Sequence, residues 1–367
     1  MKKIAIIGAS YLQLPVIEKA KEMGIETHVF AWAANDVGEL AADFFYPISI
    51  VEKEKILAVC KKIGIDGICS IASDLAVITV EYVAESMGLC CNGAETIRKC
   101  TNKHLMRQCF FSCSDPSPKS ILADEHTDLS TLDFSFPVIV KPTDRSGSRG
   151  ISKVVNKDEL KKAIESAVSE SFERKAVVEE FINGKEYSVE YISFHGRHFY
   201  LATTEKFTTG SPKFIETGHL EPASLDKDIS DRIKAVVEHA LNSLNIVNGA
   251  SHTEVKVNAQ GEIKIIEVGA RMGGDCIGSD LVKYSTGIDF VKGVIQVALG
   301  QAPDLSVKYD PIKVKSIFLF SDDDLAEMAR IENEEPGRII RIADFHPELI
   351  GKATDSSNRA GCYILRM

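Results

Sequence analysis

Two acidic residues lie in what reads as a β-hairpin. Residues 253–257, Thr-Glu-Val-Lys-Val, alternate in polarity. Asn258, Ala259, Gln260 and Gly261 supply the turn, and residues 262–268 return. A turn of even length puts Glu254 and Glu267 on the same face, opposite or diagonal to each other. Adjacent carboxylates repel unless a cation lies between them. A hard divalent ion suits such a pair and completes its shell with phosphate oxygens and water. A half-exposed hairpin with two solvated charges fits the same pattern.

The residues that follow favour the ion. Gly269-Ala270-Arg271-Met272-Gly273-Gly274-Asp275 continues directly from Glu267. Three glycines around one arginine bring backbone close to a ligand, with Arg271 placed to meet an anion. Earlier, residues 138–142 (Val-Ile-Val-Lys-Pro) read as a strand that ends in Lys141 and runs into Asp144-Arg145-Ser146-Gly147-Ser148-Arg149-Gly150. Such a loop can fold over phosphates, its N–H groups and the lysine meeting the charge. It lacks the G-x-x-x-x-G-K-[ST] pattern, so it is not a Walker loop. The run Val178-Glu179-Glu180-Phe181-Ile182-Asn183-Gly184-Lys185-Glu186 can offer backbone groups to an adenine, with Glu186 on a ribose.

These residues must be carried by at least two kinds of architecture. Strand and helix alternate at the start: strands at 3–7, 27–31 and 67–71, helices at 14–23, 53–63 and 75–87. That alternation predicts a parallel sheet covered by helices. Ser73 or Asp74 is the expected cap of the third helix. The loop after the first strand holds only Gly8, so a dinucleotide fingerprint is absent. A helix at 102–111, with Thr101 as its cap, leads to Ser114-Asp115-Pro116-Ser117-Pro118, which breaks the chain. Strands dominate beyond it, at 138–141, 151–155, 176–180, 186–193 and 198–204, with helices at 158–168 and 229–244. Short strands return at 314–320 and 361–365. The fold class is therefore α/β followed by α+β.

Bulk properties exclude several functions. The 367 residues are 44% hydrophobic and 26% charged, which suits two or three globular domains. A net charge of −10 without a Lys/Arg block disfavours nucleic acid and anionic membranes. A polyanionic ligand must then be met by local cations. The opening Met1 to Gly8 stretch is too short for a signal peptide, and no apolar run approaches a membrane span. Nine cysteines without a C-x-x-C pair read as reduced, mostly buried thiols in a cytoplasmic protein. Cys276 is the thiol nearest the glycine-rich segment.

Taken in chain order, the motifs resemble the ATP-grasp superfamily. They are Asn102-Lys103-His104, Val140-Lys141-Pro142, the 146–150 loop, Glu179 to Ile182 with Glu186, and Thr253 to Lys256 with Glu267 to Arg271. Residues 8–15, Gly-Ala-Ser-Tyr-Leu-Gln-Leu-Pro, resemble the first turn of the Rossmann-like pre-ATP-grasp domain. Glu205 to Gly210 and Glu216 to Ala223 resemble the substrate-side segment of carboxylate–amine ligases of the L-amino-acid (dipeptide) ligase kind, akin to carbamoyl-phosphate-synthase-like proteins.

The resemblance implies a pre-ATP-grasp domain at 1–95 and an ATP-grasp domain at 96–300 whose smaller lid spans about 116–184. It implies closing strands at 301–367. It implies an ATP-dependent enzyme that turns a carboxylate into an acyl phosphate and joins it to an amine. Lys103 and Lys141 would hold phosphates, under a loop that includes Ser146, Gly147 and Ser148. Glu179, Glu180, Phe181 and Ile182 would meet the adenine, mainly through backbone atoms, and Glu186 the ribose. Glu254 and Glu267 would hold Mg²⁺, or Mn²⁺ in its place. Arg271 would be catalytic, steadying the acyl phosphate and tetrahedral intermediate. Glu216, His219, Gly273 and Gly274 would line the substrate pocket. The implied partners are a small carboxylate and an amine, with a homodimer as the expected assembly.

The sequence departs from the superfamily at Gly269, where many members have an Asn metal ligand. Three rival readings remain at this stage. One takes a purine-pathway amine, one takes bicarbonate, and one is a non-catalytic ATP-binding sensor.

Overall fold

The computed structural model describes residues 1–129, 133–211, 214–356 and 358–367. Its first sheet contains β1 (Lys3–Ile7), β2 (Glu26–Phe30), β3 (Phe44–Tyr46) and β4 (Gly67–Cys69). The four strands are parallel, in the order β3-β2-β1-β4. β1 forms because a short apolar run, Lys-Ile-Ala-Ile-Ile, is buried on both faces. The helices Lys53–Ile63 and Asp74–Met87 end at Gly64 and Gly88, both in the left-handed conformation that stops a helix cheaply. The turn after β1 is filled from within. Gln13 bonds both the N–H and the carbonyl of Ile71, and a Cβ on Gly8 would stand 2.9 Å from its Cγ. This turn is closed by the Gln13 side chain.

A second sheet has β5 (Ser120–Ala123), β6 (Val138–Pro142), β7 (Ser152–Val154) and β8 (Ala176–Glu180), ordered β5-β8-β6-β7. The helix Lys157–Glu170 covers it through Leu160, Ala163, Ile164, Ala167 and Val168. A third sheet of eight strands contains β9 (Lys185–Phe194), β10 (Arg197–Thr208), β11 (Glu216–Glu221), β12 (Gly249–Val257), β13 (Ile263–Gly269), β14 (Val314–Phe318), β15 (Ile339–Ala343) and β16 (Cys362–Arg366). Their order is β13-β12-β9-β10-β11-β14-β16-β15. The last three strands thus extend the same sheet that carries the acidic hairpin.

One apolar core joins the first sheet to the third. Ile4, Ile6 and Val16 belong to the same buried cluster as Ile192, Ala250 and the helix Phe290–Ala298. Among the described residues no helix is long and apolar enough to cross a membrane. All nine cysteines are free, and six of them are buried.

Two caps differ from expectation. The helix Lys103–Ser112 is capped by Asn102, whose side chain accepts from the Leu105 N–H at 3.1 Å, not by Thr101. Thr101 instead ends the preceding helix, Ala94–Thr101. Ser73 alone caps Asp74–Met87, accepting from the Ala76 N–H. Asp74 is therefore left for other work.

Candidate active site

The hairpin places its acids as required, through a device the turn alone does not supply. Val257 pairs with Ile263 and Val255 with Ile265, a register in which Glu254 would face Ile266. A bulge at Ile266 shifts the register by one, and Glu254 faces Glu267 directly. The bulge, not an even-length turn, therefore brings the two acids opposite each other. The Ile266 carbonyl accepts from the Arg107 guanidinium at 2.6 Å.

Each acid already has a lysine beside it. Lys103 Nζ stands 2.9 Å from Glu267 and donates to the Arg145 carbonyl at 2.6 Å. Lys206, on β10, pairs with Glu254, lies 3.1 Å from Glu186 and 3.8 Å from Glu216. Its ammonium is buried, which alone would lower its pKa. The three surrounding carboxylates outweigh burial and hold it well above the ordinary lysine range.

Across the cleft, Lys141 of β6 reaches Glu179 of β8 at 2.8 Å. Arg107 meets the same carboxylate at 2.9 Å. All three side chains are buried. Burial pulls Lys141 below its usual range, and Arg107 and Lys103 add to this against the pull of Glu179. Glu179 thus contributes a side chain that holds Lys141 in place, beyond the backbone role foreseen for it.

The loop at 144–150 bends through left-handed positions at Gly147, Ser148 and Gly150. Asp144 anchors it by accepting from the N–H groups of Phe172 and Glu173. The Arg145 guanidinium packs 4.5 Å above the Phe172 ring. Ser146, Gly147 and Ser148 face a cavity together with Lys103, Lys141, Glu179, Glu180, Phe181, Ile182, Glu186, Glu254, Glu267 and Arg271. Ile139, Ile151 and Ile266 give one part of that cavity an apolar lining. Lys153 lies 4.0 Å over Phe181.

This cavity opens into a second chamber, the two sharing Asp74, Ser146, Gly147, Arg149, Lys206, Glu216, His252, Glu254 and Arg271. The second chamber adds His219 and Gly274, with Tyr11, Asp275, Phe318, Ser356 and Arg359. His219 is fully buried, its Nε2 3.5 Å from Asp275, and burial lowers its pKa despite that carboxylate. Asp275 takes the Arg359 guanidinium at 2.5 Å, and that guanidinium packs 3.6 Å over Phe318. Ser356 donates to Glu216. Gly273 lies behind the wall and lines neither space. Its N–H donates to buried Glu190 at 3.0 Å, and a Cβ there would stand 2.6 Å from Glu190 Oε1. His252 also pairs with Glu190. Burial opposes the charge on His252, but Glu190 and Glu254 prevail and raise it to about 9.

Arg271 is held by Asp74, with Nε to Oδ1 at 2.8 Å and a terminal nitrogen to Oδ2 at 2.9 Å. The sequence marked Lys206 only as part of a substrate-side segment, and gave no sign of His252 with Glu190, Arg107 or Arg359. Each is a single residue on an ordinary strand, helix or loop.

The donor set fits a hard cation. Glu254 and Glu267 are opposed, partly exposed and offer only oxygen. Among the described residues no group of three or more His, Cys, Asp or Glu could hold a metal. An ion held by these two carboxylates would draw its other ligands from phosphate and water.

The arrangement of a glycine-bearing loop and paired lysines over a two-acid hairpin, between two sheets, is that of a nucleotide-clasping fold. Residues 134–280 match the family model for the ATP-grasp domain, and that part of the chain is an ATP-grasp domain. It is similar to alanine–anticapsin ligase of Bacillus subtilis (strain 168), with 27% identity over 60% of this chain and 51% of that one. The chain spans between half and two thirds of the length of the alanine–anticapsin ligases it matches. The crystal structure of an L-amino acid ligase from Bacillus licheniformis superposes with a TM-score of 0.82, at 24% identity, covering 100% of this chain and 93% of that one. N5-carboxyaminoimidazole synthetase from Staphylococcus aureus, complexed with ADP, superposes at 0.78, with 17% identity and coverage of 100% and 93%. The two superpositions establish the fold alone.

Proposed function

We infer that the protein is an ATP-dependent ligase that activates a small carboxylate, an amino acid, as its acyl phosphate and condenses it with an amine. The observation that carries this is the shared wall of the two cavities. Arg271 and Glu254 face both the phosphate-loop side and the second chamber.

ATP would supply the phosphoryl group. Lys141, Lys103 and the N–H groups of 146–148 are placed to neutralise and orient its phosphates, which matters most in phosphoryl transfer. Glu254 and Glu267 would hold Mg²⁺, which offsets charge on those oxygens. Arg271 would meet the oxyanion that develops as the amine attacks. Glu216 and Gly274 would border the amine side, with neutral His219 as a hydrogen-bond partner.

A purine-pathway amine would use the same site, and the likeness of the carboxyaminoimidazole synthetase keeps that alternative. The test is phosphate release with ATP and Mg²⁺ across amino acids, amino-acid pairs, bicarbonate and other carboxylates. Release that needs an acid and an amine together is expected, with the product mass naming the substrates. ATP binding without release in any combination would overturn the ligase reading. Arg271→Ala should keep ATP binding and lose turnover by about 100- to 1,000-fold.

A further inference from the structure

We propose that Asp74 is the positioning residue for Arg271, and that Gly269 is the space that allows it. The proposal rests on the ligase reading for its kinetic consequences, though not for its geometry.

Asp74 reaches Arg271 from the other side of the site. It follows β4 of the first sheet, while Arg271 follows β13 of the third. Ala72 is in the left-handed conformation and Ser73 makes the cap, so the Asp74 carboxylate is free to point across. The two hydrogen bonds, at 2.8 and 2.9 Å, form a fork that fixes the guanidinium plane. A third donor reaches the Met272 carbonyl at 3.2 Å. Guanidinium has five N–H donors, so about two remain for a ligand in the space shared by the cavities.

Gly269 makes the fork possible. A Cβ there would lie 3.1 Å from Asp74 Oδ1 and 3.3 Å from Arg271 Cζ. A side chain at 269 would require the Asp74–Arg271 pair to give way by a few tenths of an ångström. A side chain at 269 and the Asp74–Arg271 fork therefore compete for one volume. Without Asp74, the guanidinium has other anions within its field, among them Glu190 and Glu254. It would leave the geometry that transition-state stabilisation requires.

The experiment uses the full chain with Asp74→Asn, Asp74→Glu, Gly269→Ala and Gly269→Asn. Steady-state kinetics should show kcat reduced about 100-fold in Asp74→Asn, the scale of a 1 Å misplacement, with KM for ATP unchanged. Asp74→Glu should recover part of the loss. Both Gly269 variants should reproduce it with Asp74 intact. In parallel, NMR of the arginine side chains should resolve a slowly exchanging Arg271 Nε–H in the wild type that is lost in Asp74→Asn and Gly269→Ala. Unchanged kcat in Asp74→Asn overturns the proposal. So does a matched loss of ATP binding and thermal stability, which marks a general structural role. If the wild type turns over no substrate pair, the ligase reading fails by itself, and the NMR signal still decides the positioning claim.

Discussion

Replacing Glu179 by alanine should strand two buried cations. The carboxylate lies 2.8 Å from Lys141 Nζ and 2.9 Å from Arg107 Nε, and the three side chains are 3–6% exposed. Removing one partner of such a group costs about 3–5 kcal/mol, because the remaining charge has neither water nor counter-ion. A second route gives a similar figure. Burial alone would raise the Glu179 carboxyl, yet Arg107 and Lys141 reverse that and hold it down to about 2. Against an ordinary value of 4.5, the gap corresponds to about 3 kcal/mol.

The sign of the pH dependence follows. The folded pKa lies below the unfolded one. The stabilisation is therefore complete above pH about 4.5 and fades as pH falls towards 2. Urea unfolding followed by far-UV circular dichroism is the assay, since Trp32, the only tryptophan, is 72% exposed and reports poorly. Glu179→Ala should lose about 3–5 kcal/mol at pH 7, and its deficit should shrink below pH 4. An unchanged midpoint at pH 7 refutes the reasoning. Converting Lys141 to Met in the Glu179→Ala background should recover part of the loss, because one stranded charge goes with it.

Other groups make separate predictions. Glu221 is fully buried, and burial raises its carboxyl to about 7, although Ser285 and Thr204 donate to it. A raised acid favours the folded state while protonated, so stability should fall by about 3 kcal/mol from pH 4.5 to 7 on this account. Glu221→Gln should remove that slope in unfolding curves measured across the range. Gly184 has φ +147°, and a Cβ there would stand 2.4 Å from the Val257 carbonyl oxygen. Gly184→Ala should cost about 1–3 kcal/mol in the same assay, and a neutral substitution would show that the junction of β8 and β9 yields easily.

The readable part of the site was local in the chain. Lys141, the loop after it, Glu179 to Glu186 and the 254–271 hairpin each bring several residues to the cavity within one or two adjacent elements, so periodicity and turn chemistry could find them. The unreadable part is made by crossings between distant elements. Lys206 is one charge in an alternating strand, and only the order β12-β9-β10 brings it to Glu254. Asp74 had a sufficient local explanation as a helix cap, but Ser73 supplied the cap. Arg359 reaches Asp275 because β14 and β16 join the far edge of β11, an order no local pattern encodes. The hairpin's bulge shows in the sequence only as the adjacent pair Ile265-Ile266, where the alternation slips by one residue.

The acidic balance of the chain makes one more demand on the proposed metal site. With a net charge of −10, the protein cannot leave two opposed carboxylates bare, and it does not. Lys206 covers Glu254 and Lys103 covers Glu267. A divalent ion arriving alone must displace these ammonium groups from Glu254 and Glu267, leaving Lys206 only Glu186 and Glu216 and Lys103 only the Arg145 carbonyl. If the ion arrives with a polyphosphate, the same lysines gain new anionic partners, and the two ligands help each other to bind. Calorimetry should therefore find Mg²⁺ binding weakly by itself and at least about 10-fold more tightly with a non-hydrolysable ATP analogue present. Lys206→Met should narrow that gap by strengthening the binding of free Mg²⁺. Glu254→Gln and Glu267→Gln should weaken Mg²⁺ in the presence of the analogue by about 10- to 100-fold, a loss that residues behind metal ligands already produce. Equal Mg²⁺ affinity with and without nucleotide would mean that the lysines do not guard the acids.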